Sequence, residues 1–288
     1  MKFRTEITLP PAGFTVSHSD KILTTGSCFT ENLSERMIRA GFTVNAHPFG
    51  IVYNPESAAK GLLELIDRKV YTEDDLLLHE GVYHSFSHHS RFSGRDSVAV
   101  LDKINTAVAF SSDFLRQATL LIVTFGTANV YRRVSTGQAV SNCHKLPARE
   151  FEEKRLTVER ITALWTGLIR ELQALNPDLR ILFTVSPIRY RKDGAHANQL
   201  SKAVLLLAVN ELIQLHSSCS YFPAYEIVLD DLRDYRFYAD DLAHPNSQAV
   251  DYIWEKFGDA YFNQTTKDLI REYEKEYKRT NHRTIIAF

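Results

Sequence analysis

Short apolar runs alternate with longer amphipathic stretches along this chain, the pattern of an α/β protein. Lys21-Ile22-Leu23-Thr24-Thr25 predicts a buried strand that stops at Gly26. A helical pattern follows from about Glu31 to Ala40, with Leu33, Met37 and Ile38 on one face and Gly41 where a C-terminal cap belongs. Phe42-Thr43-Val44 predicts a second strand, then a loop through Pro48-Phe49-Gly50. Asn54-Pro55-Glu56-Ser57 predicts a helix entry, and Ala58 to Arg68 the helix. Ser97 to Gln117 is helical again, and Thr119 to Phe125 is the most strand-like run. Leu156 to Leu175 predicts a helix ended by Asn176-Pro177. Arg180 to Val185 predicts the fourth core strand, Asn198 to His216 a helix, and Tyr225 to Leu229 a further strand. Ser247 to Phe262 predicts a helix with Ser247 as its N-cap, and Thr265 to Lys278 a charged terminal helix.

Two stretches interrupt this series. Residues 70–96 hold Tyr83, His84, Phe86, His88, His89, Phe92 and Gly94 without a long helix, and predict an inserted hairpin. Val130 to Val134 and Gln138 to Val140, separated by Ser135-Thr136-Gly137, predict a second hairpin within residues 130–150. No Gly, Ser or Pro linker divides the chain. The expected organisation is one domain over residues 1–288, with a core of about 20–262 and a C-terminal helix at 265–278.

Composition narrows the partners. The 288 residues carry 34 Lys+Arg against 35 Asp+Glu. That balance lacks the basic excess of a nucleic-acid binder. No segment reaches 18 uninterrupted apolar residues, so no membrane span is expected. Cys28, Cys143 and Cys219 lie far apart, which is neither a disulfide framework nor a structural zinc pattern. Met1 to Glu6 lacks a signal-like apolar run, and the expected location is the cytoplasm. Neither cofactor nor metal is expected, and the sequence leaves the oligomeric state open.

The candidate chemistry falls after the strands. Gly26-Ser27-Cys28-Phe29 joins a buried strand to a helix, where free helix amides favour negative charge. Near the C-terminus, Asp241-Leu242-Ala243-His244 spaces an acid three residues before a histidine. Folded back, the acid fixes one ring nitrogen and leaves the other as a base. Gly50 follows the second strand, and Gly126-Thr127-Ala128-Asn129 the third. Each feature alone is also what an ordinary turn looks like. A parallel sheet, however, gathers all four loops at one edge.

Gly26-Ser27-Cys28-Phe29-Thr30 resembles the signature of the GSCFA-domain family, with Thr30 where that name has Ala. The resemblance continues through Pro48 to Pro55, His89 to Ser93, Asn142 to Lys145, Ser186 to Arg189, Asp193 to Lys202 and Asp241 to His244. That family is grouped with the SGNH/GDSL hydrolases. The resemblance therefore implies a flavodoxin-like three-layer α/β/α sandwich with a five-stranded parallel sheet, the SGNH hydrolase fold. It implies Ser27 as nucleophile and Asp241 and His244 as its partners. The Ser27 and Gly50 amides form the implied oxyanion hole. The usual third donor, an Asn two residues after Gly, is replaced by Ala128; Asn129 comes one residue late, and Thr127 and Asn54 are alternatives. Asn54, His89, His144, Arg189 and His196 are expected substrate contacts.

The implied activity is a serine esterase cleaving an O-acyl ester of a carbohydrate or small molecule through an acyl-enzyme. An O-acyltransferase with the same triad is the alternative, and a silent ligand-binding module another. Three competing assignments follow from the residues. Cys28 is a rival nucleophile, ranked behind Ser27 because free cysteine is usually buried. His84, His88, His89, Cys143, His144 and His196 are ligand types for a metal. Tyr83, Phe86, Phe92, Tyr131 and Tyr190 are candidate walls of a silent site.

Overall fold

The computed structural model describes residues 5–10, 12–190, 192 and 194–284. Five runs of mostly apolar residues pair in parallel: β1 (Lys21–Gly26), β2 (Thr43–Ala46), β5 (Leu120–Phe125), β9 (Arg180–Val185) and β10 (Cys219–Tyr221). Their order is β10-β9-β5-β1-β2. This is the expected flavodoxin-like order, in which the chain starts centrally, adds one strand outward and then crosses to build the other side.

Alternating side chains of the central strands feed two cores. Ile22, Ile122 and Leu182 pack with Phe29 and Met37 of α1 (Cys28–Arg39) and with Ile253 and Phe257 of α7 (Ser247–Tyr261). The charged helix α8 (Gln264–Thr284) adds Ile270 to this layer. On the opposite face, Leu23, Val123, Phe125 and Phe183 meet four helices: α2 (Pro55–Ile66), α3 (Ser97–Leu115), α4 (Val158–Leu175) and α5 (Gly194–Leu215). Trp165 of α4 is fully buried edge-on to Phe125 and Phe183, and its indole N–H donates to Pro55 O at 3.1 Å. Burying one such side chain contributes on the order of 1.5–3 kcal/mol. It also fixes the start of α2 against the sheet.

Both insertions form. The first contains the antiparallel pair β3 (Leu77–His79) and β4 (Val82–His84). The second is a three-stranded sheet, β6 (Asn129–Arg133), β7 (Ala139–Val140) and β8 (Phe151–Arg155), with β6 central. Its third strand is more charged than apolar (Phe-Glu-Glu-Lys-Arg), which is why the hydrophobic pattern passes over it.

Two local expectations are corrected. Tyr225 to Leu229 is not a strand: it runs through a short helical turn, α6 (Ala224–Glu226), into a π-helical turn, Ile227–Leu232. The fifth strand lies earlier and is only three residues long. The N-cap of α7 is Asn246, whose Oδ1 accepts from Ala249 N at 3.1 Å, rather than Ser247. No helix among the described residues is long and apolar enough to cross a membrane.

Candidate active site

At the carboxyl edge of the sheet, β1 ends in Gly26, whose φ is +133°. A Cβ there would sit 2.2 Å from Thr124 O, so only glycine lets β1 approach β5 this closely. Ser27 then occupies the N-cap position of α1, and Cys28 is the first helical residue. Ser27 N–H donates to Thr124 O at 3.1 Å. Its side chain turns inward beside Gly126; the residue is 1% exposed, and Oγ has no hydrogen-bond partner among the described residues. Cys28, half-buried, faces His244 instead.

The second half of the site comes from the loop before α7. Asp241 Oδ2 contacts His244 Nδ1 at 2.5 Å, and Asp241 Oδ1 accepts from the amides of Ala243 (2.9 Å) and His244 (3.0 Å). Leu242, at φ +55°, lets the chain turn tightly enough for all three bonds. The two amides and the imidazole hold the Asp241 carboxyl well below the usual carboxylate range. The other ring nitrogen, His244 Nε2, lies 3.5 Å from Cys28 Sγ. Arg189 N bonds Ala243 O, and the Arg189 guanidinium stacks over Tyr235 and Tyr238, so this arginine braces the loop.

The sequence-derived residues therefore divide. His244 and Asp241 meet. Ser27 Oγ makes no hydrogen bond to His244 among the described residues, whereas its neighbour Cys28 contacts the ring, because successive side chains at a helix start diverge. The expected oxyanion donors are engaged elsewhere. Ser27 N–H is spent on Thr124, and Gly50 N–H on His47 O at 2.8 Å. Asn129 Nδ2 donates to Glu153 Oε1 at 3.0 Å. Gly50 is glycine for another reason: at φ +79°, its missing Cβ makes room for His89. Asn54 caps α2 through Ser57 N. His144 Nε2 contacts the Ser85 carbonyl at 2.8 Å in a buried position. His196 is exposed on the first turn of α5. Asp193 of the matched motif, and Arg191 before it, lie outside the described residues.

A cavity of about 400 Å³ adjoins the site, between the β6–β8 sheet and the start of α2. Tyr53, Tyr131, Phe151 and Tyr190 supply aromatic wall; Asn54 and His89 also line it. Tyr53 stands edge-on to Tyr190 and its ring abuts Gly126, next to the Gly26–Cys28 turn. Burial, with the nearby Cys28 second, pushes the Tyr53 phenol up to about 12, so it stays a proton donor. Burial raises the Cys28 thiol as well, against the helix-start amides of Cys28 and Phe29 and the cation of Lys202, which lower it. Sequence reasoning passed over Lys202 as a site residue. Its signal was present: one lysine set directly before the apolar run Ala203-Val204-Leu205-Leu206-Leu207. Among the described residues, no group of three or more His, Cys, Asp or Glu is placed to hold a metal ion.

A thiol, an imidazole and a carboxylate thus stand in line at the carboxyl edge of the parallel sheet of an α/β protein. The GSCFA family pattern matches residues 21–257, and the chain belongs to the GSCFA family. No curated protein sequence matches it. Among solved structures, the family 3 carbohydrate esterase of Clostridium thermocellum is similar at 10% identity, over 88% of this chain and 98% of that one, with a TM-score of 0.39. A family 3 carbohydrate esterase of Talaromyces cellulolyticus gives 10%, 88%, 99% and 0.39. A family 2 enzyme of Corynascus thermopiles gives 11%, 88%, 67% and 0.42. Likeness at this level carries no function to this chain.

Proposed function

We propose that this protein is an acyl-ester hydrolase of the SGNH type whose nucleophile is Cys28. One observation carries the reading: Cys28 Sγ, His244 Nε2 and Nδ1, and Asp241 Oδ2 form a continuous line, with contacts of 3.5 and 2.5 Å. A nucleophile touching a base that a third group orients is the arrangement acyl transfer requires.

In this mechanism His244 Nε2 takes the Cys28 proton as Sγ attacks the ester carbonyl carbon. The raised thiol needs this base, because burial keeps it protonated at rest. The oxyanion meets the N-terminal amides of α1, Cys28 and Phe29, which face the thiol, and the Tyr53 phenol. Collapse breaks the C–O bond, and His244 returns the proton to the departing alcohol. A thioester on Cys28 remains. Water, giving its proton to His244, then releases the acid and restores the thiol. The aromatic walls and polar floor of the neighbouring cavity suit a carbohydrate or similar polyol as the alcohol portion. An acceptor hydroxyl in place of water would give an O-acyltransferase from the same thioester.

The test compares single variants on p-nitrophenyl acetate. Cys28→Ala is expected to abolish turnover and Ser27→Ala to keep most of it. An active Cys28→Ala protein beside an inactive Ser27→Ala one would return the role to the serine.

A further inference from the structure

A second cavity, of about 440 Å³, opens beside the base loop. Its walls come from parts of the chain that the sequence keeps apart. Arg189 and Tyr190 follow β9, Asn198 and Gln199 are successive residues of α5, Tyr225 lies in α6, and Tyr235 opens the turn Tyr235–Phe237. Tyr190 also lines the first cavity, so the two share a wall. Arg189 N–H donates to Ala243 O at 3.2 Å, which ties the second cavity to the Asp241–His244 loop.

The polar groups that remain open here are of one kind. Asn198 is 7% exposed; its Oδ1 accepts from Tyr190 N at 2.9 Å, and its Nδ2 has no hydrogen-bond partner among the described residues. Gln199 repeats the arrangement. Its Oε1 accepts from the Tyr225 hydroxyl at 2.6 Å, and its Nε2 has no partner among the described residues. Arg189 has no carboxylate partner among them either. One of its N–H groups reaches the Tyr235 hydroxyl at 3.3 Å, and the guanidinium lies over the Tyr235 and Tyr238 rings. Both amide oxygens are therefore occupied, and what is left is two amide NH₂ groups and most of a guanidinium fork. No Asp or Glu among the described residues lines the cavity. A nearly buried amide whose donors meet no protein acceptor calls for an acceptor from outside the chain. The guanidinium beside it matches a planar carboxylate. Three tyrosine rings around these donors suit the C–H faces of a sugar ring.

We propose that this cavity is a second substrate subsite, which takes the carboxylate-bearing ring of an acidic carbohydrate ester. Its role as a subsite rests on the ester-hydrolase reading given above. Arg189 and the Asn198 and Gln199 amides hold the carboxylate and ring oxygens, and Tyr190, Tyr225 and Tyr235 pack on the ring. The substrate is then an ester on a uronic-acid-type saccharide of two or more units, one in each cavity, with Tyr190 between them. A neutral sugar in the second cavity would leave the Arg189 charge without an answer.

The experiment titrates the full chain with D-galacturonate, D-galactose and inorganic phosphate, and reads binding by ligand-observed NMR. Galacturonate should bind about tenfold more tightly than galactose, the worth of one hydrogen-bonded charge. Gln199→Glu keeps the acceptor for Tyr225 and puts a carboxylate oxygen where the unpaired amide stood; Arg189→Met removes the cation. Each should bring galacturonate down to the level of galactose, while galactose itself changes far less. Equal affinities for the two sugars in the parent chain would overturn the proposal, as would undiminished galacturonate binding in Gln199→Glu. Phosphate binding as tightly as galacturonate would also overturn it, by marking a bare anion site. Should Arg189→Met fail to fold, Gln199→Glu, at an exposed position, carries the test alone. Turnover of p-nitrophenyl acetate is read separately. A chain that binds galacturonate but cleaves no ester removes the hydrolase reading; one that cleaves the ester but does not distinguish the sugars removes this subsite.

Discussion

The two halves of the site are held by different means. The Gly26–Cys28 turn is buried between β1 and β5 and is fixed by backbone contact. The Asp241–His244 loop is about half exposed and is fixed by side-chain hydrogen bonds, one left-handed residue and the stacking of Arg189. The first half cannot change without disturbing the sheet. The second can change without the sheet noticing. Position of the thiol is therefore coupled to stability, while position of the imidazole is coupled chiefly to the proposed activity.

That contrast can be broken most severely at Gly26. Gly26→Ala places a methyl against Thr124 O and a side chain at φ +133°, and should leave little folded protein, as thermal denaturation of any purified fraction will reveal. Asp241→Ala should do the reverse. Its three hydrogen bonds vanish, and turnover should fall by roughly 10²–10⁴-fold, with the melting temperature nearly unchanged because the carboxylate is exposed. A large loss of stability there would erase the distinction between the halves. Tyr53→Phe tests the bridge between them. It removes one proposed oxyanion donor and should lower kcat by roughly 10²-fold, with Cys28 alkylation unaffected.

Acid separates the halves by another route. His47, in the loop after β2, and His88, packed among Phe49, Tyr71 and Phe92, are buried, and burial holds them down at about 4 and about 3. In the unfolded chain they take up protons near the ordinary value of 6.5; in the folded chain they do not. Stability should thus fall as pH drops below about 6.5 and continue falling toward pH 4. The slope is about 1.4 kcal/mol per pH unit for each histidine fully within that window. Urea denaturation at pH 7, 6 and 5 measures it, and His88→Phe should flatten the curve. The smallest effect belongs to the far end of the base loop. Asn246→Ala removes the α7 cap and should cost about 1 kcal/mol, with a minor loss of turnover as the loop loosens.

Much of the fold was legible in the sequence because buried parallel strands read as apolar runs, and β1, β5 and β9 are such runs. The strand β10 was not, because Cys219-Ser220-Tyr221 is short and half polar. Its neighbour Tyr225 to Leu229 carries the stronger apolar pattern, yet the chain coils there. The pairing of Asp241 with His244 was legible from their three-residue spacing, which is a local property.

What the sequence alone determined is the inventory: an α/β chain with Ser27, Cys28, Asp241 and His244 in loops that one sheet edge collects. What only the tertiary structure decided is which of two adjacent side chains faces the histidine. It also decided that the Ser27, Gly50 and Asn129 donors are spent elsewhere, and that Lys202 is buried against the Gly126 and Ser186 carbonyls. The reason is physical. Sequence spacing sets which residues can share an edge, but which side chain meets His244 is settled 216 residues along the chain, and the partner of the Ser27 amide lies on another strand.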